Sequence, residues 1–158
     1  MLLLVGFGYA KPVPVNPINL NNPRIDMMKV AFAGPASNLL LVFIACFIMR
    51  ILGPINLIEI SQYSSGNLNS LGLILYLFAI INMSLAIFNL IPLHPLDGGQ
   101  IFGGYLDKIN PKLSYRLRVD GPKILLGIIF IGFITGFSLI WFIIAPFHEL
   151  VRLMTGLW

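Results

Sequence analysis

The amino-acid sequence predicts an all-α polytopic membrane protein with about three transmembrane helices and a short extended or β segment near its N-terminus. Three observations predict this class. First, 58% of the 158 residues are hydrophobic and only 10% are charged, and mean hydropathy is +0.90. Soluble domains average roughly 45–50% apolar and about 25% charged. Second, three uncharged apolar runs are long enough to cross roughly 30 Å of hydrocarbon, which takes about 20 helical residues. Third, prolines and asparagines crowd the segment before the first run. This composition excludes an ordinary soluble globule and a disordered chain. Ten Lys and Arg against six Asp and Glu leave a net charge of +4. That is a sparse excess, not the dense basic patch of a nucleic-acid binder.

The chain reads as one membrane domain over 1–158, with residues 1–29 as an interfacial N-terminal segment. MLLLVGFGYA is apolar but too short to span, and it lacks the basic start of a signal peptide. KPVPVNPINLNNP, residues 11–23, cannot be helical with four prolines. Val13 and Val15 between spaced prolines suit an extended or edge strand. The first span, 30–50, runs uncharged from Val30 to Met49 and is bounded by Lys29 and Arg50. The second is 71–91 and the third is 124–147, opening after Lys123. Between them, Gln100 to Lys108 suits a short helix. Asn110-Pro111 marks a turn, and Pro111 can start a second short helix. Cys46, alone in an apolar run, reads as a small core residue and gives no disulfide.

The basic residues set an orientation. Lys11, Arg24 and Lys29 precede the first span, and Lys108, Lys112, Arg116, Arg118 and Lys123 separate the second from the third. Only Arg50 and Arg152 lie on the other side. Basic residues favour cytoplasmic loops. The expectation is therefore a multi-pass membrane protein. The N-terminal segment and residues 97–123 lie inside, and 51–70 and the C-terminus lie outside.

The spans carry polar residues on particular faces. Gly34 and Asn38 are four apart and share a helical face. Asn82, Ala86 and Asn89 form one stripe. Such stripes allow close helix packing. They also suit contact with an extended peptide backbone, because an amide offers both donor and acceptor. The most specific string follows at once: Asn89-Leu-Ile-Pro92-Leu-His94-Pro95-Leu-Asp97-Gly98-Gly99. Pro92 and Pro95 end the second helix. A carboxylate so near a span is costly and points to function. Asp97 can N-cap the helix that follows or ligate a metal, and the whole motif favours the metal. Gly132 and Gly136 make one G-x-x-x-G, read as packing inside the chain.

NLIPLHPLDGGQI resembles the N-x-x-P-x-x-P-L-D-G-G signature of the site-2 proteases, the intramembrane zinc metalloproteases. GFGYAKPVPVN and AFAGPASNLLL are also similar to segments of that family, in the family's order, so that the resemblance covers most of residues 5–105. It implies that Asp97 is a zinc-ligand position. It implies that Asn89 contacts substrate or the developing oxyanion, and that Gly34 and Asn38 pack beside the active site. The implied substrate is a transmembrane protein or peptide segment, unwound and held by Asn38, Asn82, Asn89 and the edge strand at Val13 and Val15. The implied cofactor is Zn2+, whose open coordination position lowers the pKa of bound water toward roughly 7.

The family's H-E-x-x-H, which supplies two ligands and the general base, does not occur in this sequence. His148-Glu149-Leu150-Val151-Arg152 imitates it, with Arg where a histidine belongs, and Arg cannot ligate zinc. The charge bias puts His148 on the outer side, away from Asp97. His94 is the one further metal candidate. Because the family's H-E-x-x-H precedes the GFGYAKPVPVN segment, the expectation is a chain truncated at its N-terminus and inactive alone. The alternatives are a non-catalytic scaffold that binds transmembrane segments and a small transporter using Asn82, Asn89 and Asp97.

Overall fold

The computed structural model describes residues 21–57 and 70–156. They form five helices: α1 (Pro23–Leu57), α2 (Ser70–Leu90), α3 (Asp97–Ile109), α4 (Pro111–Thr135) and α5 (Leu139–Thr155). No strand occurs among the described residues. The expected extended segment, with Val13 and Val15, lies outside them.

Helix α1 begins at Pro23, whose fixed φ and missing N–H suit a first helical turn. It runs through Pro35, whose side chain is buried, and Ser37 Oγ donates to the Gly34 carbonyl one turn back at 2.7 Å. The helix kinks at Gly53, where φ is 72°. Helix α2 is apolar nearly all round, which is the pattern of a helix buried in protein or lipid. Residues Pro23–Gly53 and Ser70–Leu90 are each long and apolar enough to cross a membrane.

The two helices run antiparallel and share the most extensive contact in the fold. Val42, Ala45 and Cys46 of α1 meet Ala79 and Met83 of α2, and Val151 of α5 closes the cluster. Alanine and cysteine on the facing stripes bring the backbones close, so packing does not depend on excluding water. Cys46 is buried and free, in the core position its sequence context suggests.

The third apolar run differs from its expectation. Residues 124–147 are not one straight helix. Their first part continues α4, which already begins at Pro111, so the expected short helix and the expected span form a single element. That helix ends where Gly136 adopts a left-handed φ of 71°. Ser138 Oγ then caps α5 by accepting from the Trp141 N–H at 3.2 Å. The two helices meet at 86°, so the fold has two candidate spans, or three if the bent pair counts as one. A hydrophobic run signals burial in lipid or protein, but a Gly-Phe-Ser break inside it decides direction.

Candidate functional site

The site is built where α2 stops. Pro92 and Pro95 cannot continue the helix. The chain turns through short backbone bonds, from Leu93 N–H to Ile91 O at 2.7 Å and from Leu96 N–H to Leu93 O at 3.0 Å. Asp97 is then the first residue of α3. Leu96 occupies the N-cap position, and no side chain caps this helix. The capping role open to Asp97 is therefore not used, and its carboxylate points elsewhere.

That carboxylate lies against α1. A Cβ placed on Gly34 would sit 3.2 Å from Asp97 Oδ2, so the fold brings the G-P-x-x-N string of α1 onto the aspartate of the D-G-G string. Asp97 is half-buried and Gly34 is exposed. The shared face is thus open on one side. Burial pushes the Asp97 carboxyl above the usual carboxylate range. An ionised carboxylate with incomplete solvation favours any cation that reaches it.

The two glycines after Asp97 serve close approach, not a turn. A side chain at Gly98 would run into the carbonyl oxygens of Leu90 and Ile91, at the end of α2. One at Gly99 would meet the His94 backbone N at 2.6 Å. Both positions are helical, and only glycine lets the first turn of α3 sit on the end of α2.

His94 has a cradle of its own. Cβ atoms built on Gly99 and Gly103 of α3 would lie 2.8 and 3.3 Å from its ring, and one on Gly121 of α4 would lie 2.7 Å from its carbonyl oxygen. Residues 97 and 99 differ by about 200° around a helix. Asp97 therefore faces α1, while His94 packs on the opposite flank of α3, towards α4. Nearby, Ser114 is buried and Arg118 pairs with Asp107 at 3.2 Å. Burial lowers the His94 pKa, Arg118 lowers it further, and Asp107 opposes them. Nothing in the sequence marked Ser114, Gly121 or the Arg118–Asp107 pair as neighbours of His94, because they come together only through the α3–α4 packing.

The asparagines divide. Asn82 is buried, and its Nδ2 donates to the Phe78 carbonyl of its own helix at 2.8 Å. Asn38 and Asn89 are half-buried, and their amides make no side-chain hydrogen bond among the described residues. Val42 and Met83 share the buried cluster between the two helices; Asn38 lies one turn before Val42 in α1, and Asn89 lies in the last turn of α2.

His148 is not at the far end of the bundle, as the charge pattern had suggested. Its Nε2 is hydrogen-bonded to Ser84 Oγ at 2.7 Å, and Trp141 meets it edge-on at 5.1 Å. Ser84 is five residues from Asn89, about 7.5 Å along the helix. Beyond the 86° bend, α5 packs alongside α2. Among the described residues, no group of three or more His, Cys, Asp or Glu could hold a metal ion. These residues by themselves do not make a zinc site.

The sequence pattern of peptidase family M50 matches residues 49–135, more than half of the chain. "Putative zinc metalloprotease YwhC" of Bacillus subtilis is 37% identical over 101 residues, covering 64% of this chain and 44% of that protein. "Zinc metalloprotease MJ0392" of Methanocaldococcus jannaschii is 34% identical over 86 residues, 54% of this chain and 22% of that protein. A "Putative zinc metalloprotease" of Thermotoga maritima is 29% identical over 151 residues, 96% of this chain and 28% of that protein. The chain thus spans less than half the length of each of these relatives. No solved structure matches it. With an apolar helical bundle and an aspartate held against the G-P-x-x-N helix, the chain belongs to peptidase family M50, the site-2 proteases.

Proposed function

We propose that this chain carries the aspartate side of a zinc-dependent intramembrane peptidase that acts on transmembrane protein segments. The observation that carries this reading is the placement of Asp97 against Gly34, which joins the two strings that resemble the family. Asp97 supplies one metal ligand. The remaining ligands and the general base come from an H-E-x-x-H that this sequence does not contain. As given, the polypeptide does not cleave peptides. Zinc in such a site supplies an activated water.

The chain's own residues have three tasks. Gly34 leaves room for the carboxylate. The Gly98 contact with the end of α2 fixes the start of α3, and with it the direction of Asp97. Asn89 and Asn38, whose amides make no side-chain hydrogen bond among the described residues, would hydrogen-bond an unwound substrate backbone, whereas Asn82 is committed to its own helix. The excess of basic residues before α1 and between α2 and residue 124 supports a cytoplasmic position for the Asp97 end, which would give water a short path to the site.

The test combines the chain with a co-expressed segment bearing H-E-x-x-H. The expected result is about one zinc per complex by elemental analysis and cleavage of a transmembrane peptide, with both lost in Asp97→Ala. Full zinc loading in Asp97→Ala would reject the ligand assignment. If metal binds through Asp97 but nothing is cleaved, the chain is a non-catalytic member.

A further inference from the structure

Helices α1 and α3 cross where Gly104 meets Met28, close enough that a Cβ on Gly104 would sit 2.6 Å from the Met28 sulfur. Beside this crossing is a groove of about 370 Å³. Its floor is apolar, from Ile25, Met28, Phe32 and Ile101, and Arg24, Lys29 and Lys108 stand around it. We propose that this groove binds an anionic glycerophospholipid, with an acyl chain along the floor and the phosphate between Arg24 and Lys108.

The depth of the groove favours a lipid. The apolar stretch Pro23–Gly53 has 31 residues, roughly 46 Å of helix at 1.5 Å per residue. It exceeds a hydrocarbon core of roughly 30 Å, so about five residues at each end lie among headgroups. Arg24 falls in that layer. Phe32, eight residues on, lies roughly 12 Å deeper, within the acyl region. A groove that is cationic at headgroup depth and apolar below it matches the two halves of an anionic lipid.

The neighbouring charges leave the cations available. Asp26 engages Lys29 at 3.0 Å, so Lys29 contributes less. Asp107 is bonded by Arg118 and reaches Arg24 only through space. Lys108 has no ion-pair partner among the described residues. An acidic soluble peptide fits less well, because Ile25 and Phe32 are each about half exposed along a helix apolar enough to span a membrane, not towards water.

The test uses the full 158-residue chain in nanodiscs of phosphatidylcholine with about one-fifth phosphatidylglycerol. Gentle detergent transfer and native mass spectrometry then count the retained lipids. Wild type should retain phosphatidylglycerol over phosphatidylcholine by on the order of tenfold. The double variant Arg24→Gln/Lys108→Gln should lose this preference. Lys112→Gln/Arg116→Gln, which removes the same charge nearby but outside the groove, should keep it. Equal melting temperatures of the two variants separate lipid loss from misfolding. Equal loss in both variants would overturn the proposal, because it would show only general attraction to an anionic surface. Displacement of the lipid by millimolar inorganic phosphate, or by a soluble acidic peptide, would also overturn it.

Discussion

Gly34 is exposed, and Asp97 Oδ2 is the one atom that crowds the place of a Cβ among the described residues. Replacing it with alanine puts a methyl 3.2 Å from Asp97 Oδ2, and the carboxylate must yield by a few tenths of an ångström. Because the carboxylate is the end of a rotatable side chain, folding should cost under about 0.5 kcal/mol. Metal affinity of the completed site should fall by about 10–100-fold, as when a supporting contact is lost. Isothermal titration with zinc on the assembled complex checks this, and unchanged affinity would reject the contact. His94 gives a pH signature. Its pKa is lowered in the fold, so the folded state binds its proton less readily than the unfolded state. The stability it lends is complete above the ordinary histidine value of about 6.5 and is lost as pH falls through that value towards the folded one. The melting temperature of wild type should therefore drop more than that of His94→Gln between pH 7.5 and 5. Parallel curves would reject this.

At the scale of elements, glycines set how closely α3 sits on its neighbours. Gly98→Ala drives a methyl into the backbone of Leu90 and Ile91, and Gly121→Ala drives one towards the backbone of His94. Backbone does not rotate away, so each should cost about 3 kcal/mol. Thermal unfolding in detergent measures this, and wild-type melting of both would refute the packing. The α4–α5 break depends on a different device. Ser138→Ala removes the hydroxyl that caps α5 and should cost about 1 kcal/mol. The bond between Ser84 and His148 ties the returning helix to α2. In an apolar surround Ser84→Ala should cost about 0.6–1.7 kcal/mol, and its effect should not add to that of His148→Ala in a double-mutant cycle.

At the scale of the whole molecule, large apolar side chains stand widely exposed among the described residues. Phe47, Ile51, Ile74, Phe130 and Phe142 are exposed, and Phe133 is 87% exposed. Soluble monomers rarely carry contiguous apolar patches beyond a few hundred Å². The expressed chain should stay in the membrane pellet after an alkaline carbonate wash, and release into the supernatant would contradict a spanning bundle. Reporter fusions after residue 110 should report the cytoplasmic side if the bias of basic residues towards the cytoplasm sets the orientation, and an external signal would reverse the proposed topology.

Much of this was legible in the sequence because lipid imposes strong, local demands. A run without charge from Val30 to Met49, or from Leu71 to Ile91, has few alternatives to a helix in a membrane. Prolines at 92 and 95 stop a helix whatever surrounds them. The composition and the two apolar spans therefore needed no coordinates. The third run shows the limit. Its hydropathy was read correctly as apolar, but a left-handed glycine followed by a capping serine turns the chain through 86°, and hydropathy carries no direction. Tertiary structure alone decided that Asp97 meets Gly34, that His94 turns away towards Gly103 and Gly121, and that His148 returns to Ser84. Each of these is a contact between elements distant in sequence. Such contacts depend on which faces of two helices meet and at what height, and the angle of a helix pair is set by every side chain in the interface together.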